Sequence, residues 1–138
     1  MKLKIKVAIP GRIIWEDEIT EAIIQTTTGK IGILPNHAPL VAAIETSVLT
    51  LKDTEKKTTL LVISDGYVSL EKNSIFIATD RCILEDKIDP KKLEQDYKIA
   101  LEKYNTAEKL GKKYIANKTL KRINACYEVL NYKKQQLT

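Results

Sequence analysis

The run Ile88-Asp89-Pro90-Lys91-Lys92-Leu93 is where this chain changes its hydrophobic period. Asp followed by Pro reads as a helix N-cap and first helical residue, because proline lacks only a donor that would be orphaned there anyway. Downstream, Leu93, Tyr97, Ala100, Leu101, Tyr104 and Ala107 form one apolar stripe at three-and-four spacing. Gly111 is then expected to supply a left-handed helix stop. A second stripe follows in Ala116, Leu120, Ile123, Tyr127 and Leu130. Two such helices joined by a short turn predict an antiparallel hairpin, each stripe burying the other. Lys118, Lys121 and Arg122 fall roughly opposite the second stripe at about 100° per residue. The expectation is a dry seam with an outward basic face.

Upstream of Glu85 the period is two. Leu3, Ile5, Val7 and Ile9 alternate with Lys2, Lys4, Lys6 and Ala8, the pattern of a half-buried strand. Pro10-Gly11 punctuates, and Arg12 to Glu16 reads as the return strand. Short strands are predicted at 18–26, 30–34, 48–51, 59–64, 67–71 and 74–79, separated by turn signals such as Asp65-Gly66 and Lys72-Asn73. Leu60-Leu61-Val62-Ile63 and Ile75-Phe76-Ile77-Ala78 are apolar on both faces. Their outer faces need cover, from the C-terminal segment or from another subunit. The fold class is therefore α+β: an antiparallel β-sandwich over residues 1–86, then a two-helix hairpin over 87–138 with a core of its own.

Composition excludes several classes. Hydrophobic residues make up 43% and charged residues 30% of 138, a globular balance. The longest uninterrupted apolar run, Leu40-Val41-Ala42-Ala43-Ile44, is far short of a membrane span. Lys4 and Lys6 interrupt any secretory core at the N-terminus, and Cys82 and Cys126 have no partner spacing, so free thiols are expected. Residues 1–84 hold ten basic and ten acidic side chains, whereas residues 110–138 hold seven basic ones against Glu128 alone. A local basic segment implies a partner with an acidic face.

Chemistry is mostly absent. His37 is the only histidine, and no Ser or Cys motif frames it as a catalytic partner. His37, Cys82 and Cys126 lack metal-ligand spacing, and the five glycines form neither a Walker loop nor a dinucleotide fingerprint. No cofactor or metal is expected, and the chain alone is not expected to be an enzyme. Glu16-Asp17-Glu18 reads as a solvated hairpin end rather than a cation site. Twenty Lys against three Arg, with no stacking platform among Tyr114, Tyr127 and Tyr132, argue for a protein partner over nucleic acid.

Gly29-Lys30-Ile31-Gly32-Ile33-Leu34-Pro35-Asn36-His37-Ala38-Pro39-Leu40 resembles the signature loop of the epsilon subunit family of rotary ATP synthases. Pro10-Gly11-Arg12-Ile13-Ile14-Trp15 is similar to the chloroplast and cyanobacterial branch. Asp65-Gly66-Tyr67-Val68, Asn73-Ser74-Ile75 and Ile88-Asp89-Pro90 match later parts of it. The resemblance implies a ten-stranded sandwich and hairpin in the central stalk, coupling proton-driven rotation to ATP synthesis and restraining ATP hydrolysis. It implies as partners the gamma subunit, the membrane c-ring and an acidic loop of the catalytic beta subunits. Thr28, Gly29 and Lys30 would face the ring, and Lys118, Lys121 and Arg122 would meet the acidic loop. His37 is expected to anchor its loop by a hydrogen bond, with a direct partner contact as the alternative. The expected location is peripheral, on the stromal face of a plastid thylakoid membrane or the cytoplasmic face of a bacterial one. Relatives that sense ATP carry Asp, two residues, then Arg and Ala at the first helix. Here Lys92 and Leu93 replace that last pair, so nucleotide binding is not expected.

Overall fold

The computed structural model describes residues 2–137. Ten strands come first: β1 (Leu3–Ile9), β2 (Arg12–Ile19), β3 (Glu21–Thr26), β4 (Gly29–Ile33), β5 (Leu40–Ile44), β6 (Ser47–Lys52), β7 (Thr58–Ile63), β8 (Gly66–Glu71), β9 (Ser74–Thr79) and β10 (Cys82–Leu84). A 3-10 turn at Glu85–Lys87 leads into α1 (Pro90–Thr106) and α2 (Leu110–Leu137). Strand order is β10-β7-β6-β3-β5-β8-β9-β1-β2, with β4 paired to β3. The path folds over at β3, which touches β5 through the single pair Thr26↔Ile44. Pairing is antiparallel except between β1 and β9, which run parallel.

Alternation explains the interior. Leu3, Ile5 and Val7 of β1 point inward with Ile75 and Ile77 of β9, Val68 and Leu70 of β8, and Leu61 and Ile63 of β7. Each strand thus contributes every second residue to one apolar filling. Gly66 is required where β8 meets β9, because a Cβ there would lie 1.9 Å from the Ala78 carbonyl oxygen.

Strands β5 and β10 escaped the sequence pattern for different reasons. Leu40-Val41-Ala42-Ala43-Ile44 is apolar without alternation, and Cys82–Leu84 is only three residues long. The predicted strand at 18–26 is split at Thr20, whose amide and hydroxyl both donate to the Lys52 carbonyl.

In the hairpin, Asp89 caps α1 as expected, its carboxylate accepting from the Lys91 amide at 3.0 Å. Gly111 does not stop that helix. The chain leaves α1 at Ala107, in extended conformation, and Gly111 lies in the first turn of α2. A helix can end wherever its next residue prefers an extended backbone, so a glycine four residues on is free to join the next helix. The seam forms, with Leu93 and Ala100 buried and Tyr97 edge-on to Tyr127 at 6.1 Å between ring centroids, but Leu101, expected in the same stripe, is exposed at its edge.

The hairpin does not keep a core of its own. Leu60 and Val62, on the outer face of β7, share one buried cluster with Leu93, Ala100, Ile123, Ala125, Cys126 and Val129. Helix α2 lies across β6 and β7.

Candidate functional site

The two doubly apolar strands have different fates. All of Leu60-Leu61-Val62-Ile63 is buried, because α2 covers the outer side of β7. On β9 only Ile75 and Ile77 are buried, and Phe76 stands 43% exposed. Register places it within a larger apolar face. Ala43, Tyr67, Ala78, Ala8 and Ile13 pair in one row, and Val41, Ser69, Phe76, Lys6 and Glu16 in the next. Val41, Tyr67, Phe76 and Ile13 are all exposed. A largely apolar face across five paired strands, edged by Lys6 and Glu16, is the kind of surface a protein partner covers.

Of Lys118, Lys121 and Arg122, only Lys121 stays outward in the docked hairpin, and the other two are half-buried. Their side of α2 also carries Ala125, Cys126 and Val129, which are buried, so the side opposite the seam lies on the sandwich. Lys118 reaches Asp65 at 3.4 Å and Asp80 at 3.3 Å. Asp65 is held by Thr46, whose amide and hydroxyl donate to its carboxylate at 3.0 and 2.9 Å. Partial burial pushes the Asp65 carboxyl up, but the Thr46 hydroxyl and the Lys118 ammonium outweigh it and hold it below its ordinary value. The hydrogen bond to Asp80 raises Lys118, against the opposing effect of its own desolvation. Burial lowers Arg122, and the nearby Arg81 guanidinium lowers it further. Lys121 remains exposed, beside a groove that Lys30, Thr46 and Glu128 also line.

Thr28 lies in the β3–β4 turn and Gly29 and Lys30 open β4, the turn being closed by the Thr26 hydroxyl donating to the Gly29 carbonyl at 2.6 Å. Gly29 there has φ +139°, which favours glycine. His37 lies beyond the far end of β4, so it belongs to a different surface from that turn. Its Nδ1 is 2.7 Å from the Ala38 carbonyl oxygen, and the Asn36 amide donates to Asn73 Oδ1 on the β8–β9 turn at 2.6 Å. The row Thr26–Ile44–Gly66–Thr79 puts the β3–β4 turn at the same end of the sandwich as Thr46, Asp65 and Asp80. Thr28, Gly29 and Lys30 therefore share an end with the Lys118 clamp. The partners Asp65 and Asp80 escaped the sequence reading. The signal that could have revealed the docking was Ala125, Cys126 and Val129, a second apolar patch on the basic side of α2.

A larger groove of about 1130 Å³ opens between the helices and β10, lined among others by Arg81, Lys92, Leu93, Asp96 and Arg122. Burial raises the Cys82 thiol to about 11 and also pushes up Cys126. Glu16 and Glu18 pair with Lys6 and Lys2 across the exposed β1–β2 hairpin, at 3.7 and 3.4 Å. Among the described residues no three His, Cys, Asp or Glu side chains converge on a metal position, and no helix is long and apolar enough to cross a membrane.

The architecture defines a class, a ten-stranded β-sandwich that carries a C-terminal helical hairpin across one face. Residues 2–85 match the family described as ATP synthase, delta/epsilon chain, beta-sandwich domain. The chain is 72% identical over 134 residues to the chloroplastic ATP synthase epsilon chain of Bigelowiella natans, covering 96% of this chain and 98% of that one. It is 34% identical over 128 residues to the chloroplastic epsilon chain of Adiantum capillus-veneris, covering 93% and 96%. Among solved structures, the Euglena gracilis mitochondrial ATP synthase (OSCP/F1/c-ring) contains a chain of the same fold. The TM-score is 0.82 at 18% identity, over 94% of this chain and 81% of that one. The chain belongs to the ATP synthase delta/epsilon family, as an epsilon chain of plastid type, a non-catalytic part of the complex.

Proposed function

We propose that this chain works in the central stalk of a plastid ATP synthase, helping to couple rotation to ATP synthesis and restraining ATP hydrolysis. The observation that carries this reading is the 72% identity, over nearly the whole of both chains, to a chloroplastic epsilon chain. The physical design agrees with it. A rotor part needs a rigid body with adhesive faces, and the β5-β8-β9-β1-β2 half offers an exposed apolar face around Tyr67 and Phe76. That face is the gamma-binding surface in this proposal. The turn at Thr28, Gly29 and Lys30 meets the c-ring. His37 lies at the opposite end and anchors its own loop, so it takes no part in the ring contact. The division falls near residue 86, with the sandwich for stalk and ring and the hairpin for regulation. The complex sits at the stromal face of the membrane, with this chain peripheral to it.

Restraint of hydrolysis requires Lys118, Lys121 and Arg122 to meet an acidic loop of the catalytic subunits. In the docked hairpin Lys118 is paired with sandwich acids and Arg122 is half-buried, so the hairpin must lift before all three can act together. Nucleotide sensing has less support, since Asp89 is committed to its helix cap and Leu93 is buried in the second core. The deciding experiment is co-purification of the full chain with a gamma subunit. Wild type should be retained, and Phe76→Glu, which leaves the fold intact, should lose at least tenfold in affinity. Retention of neither, or of both equally, would refute the surface assignment.

A further inference from the structure

The contacts between α2 and the sandwich are of three kinds, and they pull in different directions. The apolar contact of Ala125, Cys126 and Val129 on Leu60 and Val62 is strong and insensitive to salt. Beside it, Lys118 places one ammonium between two carboxylates from separate loops, Asp65 after β7 and Asp80 after β9. One helical turn further on, Arg122 faces like charge from Arg81, the residue next to Asp80, with Asp96 of α1 as the neighbouring acid. The same two elements therefore attract through Lys118 and repel through Arg122.

We propose that Asp65, Lys118 and Asp80 form a salt-sensitive latch that holds the hairpin on the sandwich. That the latch has a regulatory use rests on the stalk function proposed above; that it exists does not. The geometry gives three reasons for a latch rather than incidental surface pairing. Asp65 is fixed before the hairpin arrives, because two donors from Thr46 orient its carboxylate. Asp80 is positioned by its own backbone, its amide donating to the Asp65 carbonyl at 3.3 Å. A single lysine engages both acids, so one side chain is ordered for two pairs and the entropic cost per pair falls.

The chain carries its own reporters. Cys126 is buried in the cluster that α2 shares with β7, so lifting the hairpin off the sheet exposes it to a thiol reagent. Cys82 faces the sandwich interior and stays covered as long as that core is intact. The test measures modification of the full chain, isolated from any partner, by Ellman's reagent at low and high salt. Lys118→Gln and Asp80→Asn should each raise the Cys126 rate about two- to fivefold at low salt, the range for one or two partly exposed pairs. Combining them should add little, since both remove the same clamp. Wild type should approach the variant rates at high salt, and Cys82 should stay slow throughout. Unchanged Cys126 rates would overturn the latch, and so would a joint rise of Cys126 and Cys82, which would mean loss of the sandwich fold. Because no gamma or catalytic subunit is present, failure here leaves the stalk assignment standing. Failure of gamma co-purification would in turn leave the latch standing.

Discussion

Strands β7 and β9 begin from nearly the same sequence character and end in different surroundings. Leu60-Leu61-Val62-Ile63 is buried on both sides, one by the sandwich core and the other by α2. Ile75-Phe76-Ile77-Ala78 is buried on one side only, and its outer residues lie in an open apolar face. A doubly apolar strand announces a need for cover without naming its source. For β7 the chain supplies the cover itself. For β9, under the proposed stalk function, another subunit does.

The strongest way to break this comparison is to place the same charge on both strands. Val62→Asp puts a carboxylate in the fully buried cluster beneath α2, with no partner to compensate it. Such a charge costs about 3–5 kcal/mol, and lifting the hairpin is the cheapest relief. Phe76→Asp, on the open face, should lower the stability of the isolated chain by only about 1–2 kcal/mol, from its partly buried ring and the poorer strand propensity of Asp. Hydrogen exchange of α2 in the two variants reads the contrast directly. Equal destabilisation by both would show that the open face is not open in solution.

How much of this was legible in the sequence follows from what period alone can encode. Alternation and three-and-four spacing are local, so most strands, both helices and the Asp89 cap are readable from residue spacing alone. The seam was legible because its residues recur on one line. Docking was not, because it depends on how α2 meets β6 and β7, elements roughly sixty residues earlier in the chain. The side of α2 carrying Lys118, Lys121 and Arg122 looks solvated when only its first half is considered. Its second half, Ala125, Cys126 and Val129, decides otherwise. The clamp was invisible for the same reason, since Asp65 and Asp80 are ordinary turn residues until α2 arrives. His37 and Gly29-Lys30 belong to one signature stretch, yet β4 places them at opposite ends.

A second prediction sharpens the comparison by weakening the cover rather than the strand beneath it. Ile123 is 4% exposed and belongs to the cluster that joins the helices to β7. Ile123→Ala should cost about 2–4 kcal/mol from lost transfer and residual cavity. Because the cluster is shared, the loss should appear both as looser α1–α2 packing and as faster exposure of Cys126. Loosening of the seam without any change at Cys126 would return the hairpin to a separate core.

A smaller effect is expected from Lys121, the exposed member of the basic side of α2. Lys121→Glu leaves both the cover of β7 and the Lys118 clamp untouched. In reconstituted enzyme it should weaken the restraint of ATP hydrolysis by up to about fivefold at low salt, the upper range for one exposed pair. The effect should fade with added salt, as charges further apart than about 8–10 Å are screened at physiological ionic strength. Full restraint by the variant at low salt would leave steric blocking as the explanation.

The smallest effect concerns pH, and its sign follows from the two ends of the clamp. Asp65 is held below its ordinary value of 3.8, so its contribution to docking is present above that value and is lost as pH falls through the lowered one. Lys118 is raised above its ordinary 10.5, so its contribution is complete below that value and is lost as pH rises through the raised one. Docking should therefore be flat across neutral pH and loosen at both extremes. Methyl resonances separate the covered strand from the open one. Val62 and Val129, buried at the docking contact, should shift at both extremes, while Val68 in the sandwich core should hold its position. In Lys118→Gln both limbs should shrink together, because Asp65 acts on docking through Lys118 while Thr46 holds it with or without the hairpin; the buried Cys126 thiol, held above its ordinary value, leaves an alkaline remainder. Survival of the full acid limb in that variant would assign it to carboxylates other than Asp65, and the cover of β7 would then owe nothing to the clamp.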